Sequence, residues 1–555
     1  MITRRRLAIW PILPIWPIWP LTLNACGGAG TLDHVTSTPS NVSPSSTPVP
    51  MVSNAEAWRP RYHYTPQRNW MNDPNGLVYF GGEYHLYYQY NPQGDQWGNI
   101  NWGHAVSPDL VTWTELAGAI AASARVMAFS GSVVIDHDNT GGFAAPGAAS
   151  PAFVACFTGF DPVSKNQSQH LAYSLDRGRS YTAYAGNPVI DIGSTEFRDP
   201  KVFWHAPTRR WVMLVVAALR QEVWIYTSSN LRAWTKVSTF GPAGSAAGNI
   251  WEVPDLLELP ITAADSSTQG KRWVLVVSVN RGSLWGGSGV QYFIGDFDGS
   301  RFVADPHQNP QPVAGRSNAH ITLWADHGRD FYAPLSFANL PDSRVLWLGW
   351  MSNWDYASAL PTQPWRGQQS LPRALDLATT PQGLRLRQTV VEEVRHLAEA
   401  QPLLALNNAS MSDASNALNT AAPQARQFMA RLVFDPSGSL QPLGLELFKG
   451  SSESLRVGFD PASNSYFVDR RTRSPSFAGQ SERHDAPRVL DGAEIGLEIW
   501  VDGSTVEVFA DGGCVVLSDL AYADAAATGI ALFGGDAKVV VKNFGLWRVR
   551  SSMLR

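Results

Sequence analysis

The sequence predicts an all-β protein, a β-propeller of roughly five blades followed by a C-terminal β-sandwich. Three observations carry this expectation. Short alternating or aromatic-rich runs, broken by Gly, Pro, Asn and Asp, recur from Trp58 onward. Helical periodicity is nearly absent before Thr389–Ala398. A strand-and-turn pattern repeats at blade-like intervals.

The N-terminus has its own logic. Arg4, Arg5 and Arg6 precede an apolar run from Leu7 to Leu23 and small residues around Cys26, the order of an export signal over residues 1–25. Pro11, Pro14, Pro17 and Pro20 would break a spanning helix. Leu23-Asn24-Ala25-Cys26-Gly27 resembles a bacterial lipobox; it reads either as a lipidation site at Cys26 or as an ordinary export signal that contains a cysteine. Either reading places the mature chain outside the cytoplasm, as an extracellular, periplasmic or outer-membrane lipid-anchored protein. Residues 26–56, rich in Ser, Thr and Pro, lack the apolar surface needed to fold and read as a linker.

Residues 57–388 are expected to form the propeller. Gly76 to Tyr88 reads as two strands around Gly81-Gly82. Ser107-Pro108-Asp109 leading to Trp113, Ser174-Leu175-Asp176 leading to Tyr181, and Ser228-Ser229-Asn230 leading to Trp234 share one plan, with Asp296 to Phe302 a looser copy. Each puts a polar turn after a strand and returns an aromatic six or seven residues later, at intervals that fit one four-stranded blade. Residues 389–426 are expected to be a link with one short helix over Thr389–Ala398. Residues 427–550 return to alternating strands, with a hairpin at Asp502-Gly503, and suit a structural or ancillary β-sandwich.

Composition narrows the ligand. With 43 basic and 47 acidic residues the formal charge is -4, without the cationic excess that nucleic acid would attract. Aromatics make up 11% of the chain and tryptophan alone numbers 22, suiting both a large β core and stacking on sugar rings. Beyond Cys26 only Cys156 and Cys514 remain, so no disulfide framework is implied. The 12 histidines lack zinc-site spacing and the Asp-rich turns are too dispersed for a calcium loop; the sequence calls for no metal and no cofactor.

Hydrolysing a glycoside requires two carboxyl groups across the scissile bond, and three carboxylates stand out by context. Asp73 lies in Trp70-Met71-Asn72-Asp73-Pro74-Asn75-Gly76, Asp199 in Phe197-Arg198-Asp199-Pro200, and Glu252 in Trp251-Glu252-Val253-Pro254-Asp255. Taken singly, each is ordinary turn chemistry. Their spacing of 126 and 53 residues is roughly two blade periods and one, which would converge them on a propeller's central channel. Between Trp251 and Val253, Glu252 is expected to be desolvated and protonated, a general acid. Asp73, beside Asn72 and turn amides, is expected to stay ionised and attack. Asp199, paired with Arg198, is expected to stay ionised and hold sugar hydroxyls.

These segments, with Phe129-Ser130-Gly131-Ser132, occur in the order found in glycoside hydrolase family 32, the invertases, inulinases and levanases, which the chain resembles from about Tyr62 to Leu377 and again from Asp502 to Phe509. The resemblance implies a five-bladed β-propeller followed by a β-sandwich and a retaining mechanism through a fructosyl-enzyme. It makes Asp73 the nucleophile, Asp199 the transition-state stabiliser and Glu252 the acid/base. Asn72, Gln89, Trp97, Phe129, Ser130 and Arg198 match positions lining the terminal-fructose subsite, with an aromatic wall from Trp350 or Trp354. Val253 departs from the Cys that many members carry there, which puts the pH optimum in doubt.

Trp97 to His104 and Trp350 to Trp365 resemble the exo-inulinase and levanase branch. Exo-hydrolysis of fructans, with activity on sucrose, is therefore the expected reaction, and a carbohydrate the expected partner. Two rivals are a fructosyltransferase on the same fold, revealed by oligomeric products, and a non-catalytic fructan-binding lipoprotein, which would show no turnover.

Overall fold

The computed structural model describes residues 58–553, except 246–248, 264–266, 311–317, 437, 452, 472–481 and 537. The expected export signal, Cys26 and the Ser/Thr/Pro-rich segment lie outside the described residues.

The chain winds through five four-stranded antiparallel blades. Blade I comprises Asn69–Phe80, Glu83–Asn91, Asn101–Ser107 and Thr114–Ile120, turning at Gly81-Gly82 where both φ angles are positive. Blade II comprises Met127–Asp136, Ala152–Phe160, Gln167–Ser174 and Thr182–Ala183. Blade III comprises Phe197–His205, Arg210–Ala217, Glu222–Ser228 and Thr235–Phe240. Blade IV comprises Trp251–Thr262, Thr268–Val279, Gly289–Phe297 and Phe302–Ala304. Blade V comprises Tyr332–Ser336, Val345–Trp350, Arg373–Thr380 and Gly383–Val390. The first strand of each blade touches the first strands of both neighbours, and blade V meets blade I, so these five strands line the central channel.

Apolar side chains fill every gap between blades. Val78 and Trp102 meet Val133 and Phe153 between I and II, Val154 and Leu171 meet Val202 and Met213 between II and III, and Leu214 and Val216 meet Leu275 and Val277 between III and IV. Leu259 and Val274 meet Trp347 and Leu377 between IV and V, and Leu346 and Leu348 of blade V meet Leu77 and Leu86 of blade I. Two parallel backbone pairs, Asn69 with Trp365 and Trp70 with Arg366, complete the closure. The sequence repeat marks the turn from third to fourth strand in blades I to IV. In blade I the Asp109 carboxylate accepts from the amides of Val111 and Thr112, and Trp113 Nε1 closes onto the Leu110 carbonyl at 2.9 Å. Asn230 and Trp234 repeat this in blade III.

The segment 389–426 differs from expectation. Thr389 and Val390 end a strand, because β-branched residues favour the ladder with Ala374 and Arg373, and the helix that follows is one turn, Glu392–Arg395. Leu404–Ser410 pairs with Val540–Arg548, and Met411–Ala421 is a helix capped by Ser410, whose side chain accepts from the Asp413 amide. Met411, Ala414 and Leu418 bury one face in the sandwich core, so this stretch is part of the second domain. The sandwich packs a six-stranded sheet (Leu404–Ser410, Val540–Arg548, Gln427–Asp435, Ile495–Asp502, Thr505–Ala510, Val515–Leu520) on a five-stranded one (Arg483–Pro487, Ser465–Asp469, Leu455–Asp460, Leu443–Lys449, Gly529–Gly534).

The hairpin at Asp502-Gly503 joins the domains. Asp502 accepts from the amides of Arg61, Tyr62 and His63 at 2.7 to 2.9 Å, just ahead of blade I. Glu507 accepts from the Leu371 amide at 2.7 Å and pairs with Arg373 of blade V. His63 bridges the two acids, with Nδ1 at 2.9 Å from Asp502 and Nε2 at 2.8 Å from Glu507, all three side chains fully buried. Burial by itself pushes the His63 imidazole down, but the hydrogen bonds to Asp502 and Glu507 outweigh it and raise the group to about 9. A histidine raised above its unfolded value of about 6.5 adds stability that is complete below that pH and is lost as pH rises through the folded value. His63→Gln is therefore expected to lower stability near pH 6 by up to about 3 kcal/mol, with the gap to the parent narrowing as pH rises from about 6.5 and nearly closed above about pH 9, as measured by urea denaturation.

Candidate active site

A single backbone device builds the site. Every inner strand breaks its pairing at the same end, to within a residue: between Met71 and Pro74, Ala128 and Gly131, Arg198 and Lys201, Glu252 and Asp255, and Tyr332 and Leu335. A bulge leaves consecutive residues unpaired and re-aims their side chains, and it tolerates proline, which has no N–H for the ladder. The five segments read Asn72-Asp73-Pro74, Phe129-Ser130-Gly131, Arg198-Asp199-Pro200, Glu252-Val253-Pro254 and Tyr332-Ala333-Pro334. Asp199, Val253 and Ala333 take positive φ angles of 66°, 45° and 50°, unusual for residues with a Cβ and most costly for β-branched Val253. Asp73 and Asp199 both precede a proline and lie inside their breaks, Asp73 as the second unpaired residue and Asp199 as the first, while Glu252 is the last paired residue before its break. The expected convergence on the channel holds, with that offset.

The segments open into a cavity of about 340 Å³ lined by Asn72, Asp73, Gln89, Trp97, Phe129, Arg198, Asp199, Glu252 and Trp354 among the expected residues. Ser130 sits behind them. Asp73, 6% exposed, accepts from Ser130 Oγ at 2.6 Å and from Asn72 Nδ2 at 2.9 Å. Gln89 spans this pair, donating to Ser130 and accepting from Asn72 at 3.2 Å, and Trp70 Nε1 orients Asn72 at 2.7 Å. Burial nevertheless outweighs these donors and, with the nearby Glu252 charge, pushes Asp73 up to about 6.

The other two carboxylates depart from their expected environments. Trp251 and Val253 are buried in apolar clusters and leave Glu252 among polar groups. Its carboxylate receives Arg198 Nε at 3.1 Å, Asn280 Nδ2 at 3.0 Å and the Tyr332 hydroxyl. Arg198 does not sit on Asp199: its Nε is 3.9 Å from that carboxylate, and its Nη1 donates to Glu196 at 2.6 Å and to Gln167 at 3.1 Å. Asp199 accepts instead from the Val253 amide at 3.0 Å. Burial raises its pKa, and the charges of Glu252 and Asp73 add to the rise, more than Arg198 offsets. These surroundings disfavour an ionised Asp199, where the sequence reading expects an ionised one.

The two tryptophan candidates separate cleanly. Trp354 lines the cavity, whereas Trp350 is fully buried and packs against Trp70 and Trp354 at ring distances of 6.0 and 4.9 Å. Phe129 stacks on Phe160 at 4.7 Å and meets Trp97 edge-on at 6.0 Å, forming the opposite wall. Sequence reasoning missed Phe160, Gln167, Glu196, Ile250, Asn280 and Tyr332. Tyr332 alone had a signal, the fourth copy of the proline-marked segment; the others come from neighbouring strands and loops.

Buried carboxyl groups facing one another across an aromatic-walled cavity, without surplus positive charge, are the equipment of a glycoside hydrolase. Comparison of the chain with known families makes this particular: residues 63–389 match the N-terminal domain and residues 391–548 the C-terminal domain of glycosyl hydrolases family 32, and the chain belongs to that family. It is 43% identical over 497 residues to a levanase of Bacillus subtilis (strain 168), covering 88% of this chain and 70% of that one. It is 36% identical over 512 residues to an extracellular exo-inulinase of Aspergillus awamori, covering 85% and 92%. The crystal structure of exo-inulinase from the same fungus superposes with a TM-score of 0.81 at 33% identity, covering 90% of this chain and all of that one.

Two substitutions distinguish wall from support. Trp354→Ala is expected to raise KM about tenfold with little loss of stability, by removing a stacking face. Trp350→Ala is expected to cost about 3–5 kcal/mol in urea denaturation, by emptying a core position.

Proposed function

We propose that the protein releases terminal β-fructofuranosyl units from fructans, levan or inulin, and from sucrose, with retention at the anomeric carbon. The observation that carries this reading is the convergence of Asp73, Asp199 and Glu252 in one aromatic-walled cavity. Position supports the division of roles. Asp73 lies deep, fixed by Asn72 and Ser130, where a carboxylate oxygen can reach the anomeric carbon of a sugar filling the cavity. Glu252, with a side chain 17% exposed, lies beside Asn280 and Ile250 on the lining, where a leaving group departs and water enters.

In the first step an Asp73 oxygen bonds to the anomeric carbon while the glycosidic bond breaks, and Glu252 gives its proton to the departing oxygen. In the second, Glu252 takes a proton from water, the water oxygen bonds to the anomeric carbon and the ester to Asp73 breaks. Asp199 accepts hydrogen bonds from ring hydroxyls, replacing the solvation its burial removes and so favouring its ionised form. The levanase and exo-inulinase relatives support fructans as the substrate class, and the extracellular relative supports export of the mature chain.

Product analysis with sucrose, inulin and levan side by side tests the reading: free fructose from all three is expected, and release from sucrose alone contradicts the fructan assignment. Asp73→Asn should lower kcat by about four orders of magnitude or more on all of them while substrate still binds. Glu252→Gln should lower kcat by about 10²–10⁴-fold on sucrose, yet far less for first-step cleavage of β-fructofuranosyl fluoride, whose leaving group needs no proton. On that fluoride the acid limb of kcat/KM is expected near pH 6, where Asp73 ionises, and should move to lower pH in Glu252→Gln because the Glu252 charge helps to raise Asp73.

A further inference from the structure

We propose a second carbohydrate site at the opposite mouth of the propeller channel, which binds fructan chains without cleaving them. A cavity of about 450 Å³ lies there, larger than the catalytic one, between blades II, III and V. Two strands place it. Phe197–His205 carries Arg198 and Asp199 into the catalytic cavity and Phe203 and Trp204 into this one, and Met127–Asp136 carries Phe129 into the first and Val134 to Asp136 into the second. At about 3.3 Å per residue, Arg198 and Trp204 stand roughly 20 Å apart along their strand.

The lining has the chemistry that recognises a neutral sugar. Among the described residues only two tryptophans count as exposed large hydrophobic side chains, Trp97 at 45% and Trp204 at 38%. The first lines the catalytic cavity and the second lines this one. Trp204 is braced edge-on by Trp211 at 5.1 Å, and Trp211 is tied by its Nε1 to Thr140 Oγ1 at 2.8 Å, so the exposed indole is a fixed platform. Around it stand groups suited to hydroxyls: the exposed Asp138 carboxylate and the His137 ring, which is held to Asn339 Oδ1 at 3.0 Å. A fixed aromatic face with acceptors at its rim is how proteins hold sugar rings, the apolar face stacking and the hydroxyls donating. Of the two aspartates on the described lining, Asp136 is fully buried with its oxygens taken by Thr140 and the Gly141 amide, which leaves Asp138 as the one exposed carboxylate, so the site binds and does not hydrolyse.

The inference rests on the fructan reading above, because it takes the enzyme's own polymer as occupant. A chain held at this mouth keeps its other ends at high effective concentration for the catalytic cavity, which benefits polymers and is irrelevant to sucrose. Trp204→Ala is therefore expected to raise the half-saturating concentration of levan or inulin about fivefold while leaving kcat and all sucrose kinetics unchanged. Asp138→Ala should act in the same direction, and Trp204→Phe should restore most of the parent behaviour. Binding is read separately by electrophoresis of Asp73→Asn protein through gels containing levan or inulin, where adding Trp204→Ala should weaken retardation to the same extent. Equal retardation of the two proteins, or a loss on sucrose matching that on polymer, overturns the proposal. If the parent releases no fructose from polymers, the fructan reading fails by itself, while the retardation still reports on Trp204.

Discussion

The architecture depends on one local break, the bulge at the same end of each inner strand. A regular ladder would send Asn72 and Asp73, or Arg198 and Asp199, to opposite faces of a blade. The bulge leaves Asn72 and Asp73 outside the ladder and parts Asp199 from the still-paired Arg198, so that both members of each pair reach the cavity, and proline fits in or beside the break because a residue outside the ladder need not donate a hydrogen bond. Repeated five times around a ring, this arrangement brings together side chains far apart in the chain, Asn72 and Glu252 across 180 residues among them. The three left-handed residues at Asp199, Val253 and Ala333 are the conformational cost, concentrated where the chemistry takes place.

The second constraint is closure of the ring. Blade V meets blade I through apolar packing and two parallel backbone pairs, and the sandwich stands against this seam. Asp502 holds the segment entering blade I, Glu507 holds Leu371 and Arg373 of blade V, and His63 links the two acids. The hairpin at Asp502-Gly503 thus acts as a clasp on both ends of the propeller. This gives the family motif in the sandwich a physical purpose although it lies away from the catalytic cavity: loosening the seam would shift Asn72 and Asp73 relative to Tyr332 and Glu252.

Much of this was legible in the sequence because it rests on local rules. Gly81-Gly82 announced a hairpin and the Asp109 and Asn230 turns announced a blade repeat, while the Asp-Pro and Glu-Val-Pro segments read as turns and prove to be breaks inside strands. What stayed hidden depends on contacts distant in sequence. The environment of Glu252 could not be read from Trp251 and Val253, because both side chains turn into the core and the partners come from blades III, IV and V. Arg198 sits next to Asp199 in sequence yet favours Glu196 and Glu252, since bulged neighbours need not face each other. The helix Met411–Ala421 was readable from Ser410 as a cap and the spacing of Met411, Ala414 and Leu418, but the stronger apolar run at Val390, Val391 and Val394 drew attention away. That run is apolar because it is buried at the domain seam.

The proposed mechanism turns on covalent bonding at Asp73. Glu252→Gln protein mixed with β-fructofuranosyl fluoride should accumulate the ester, because the first step needs no proton and the second lacks its base. Peptide mass spectrometry after acid quench should find one fructosyl unit on the peptide that contains Asp73. A label on Asp199, or a rapid burst of product that leaves the protein unmodified, would contradict the mechanism.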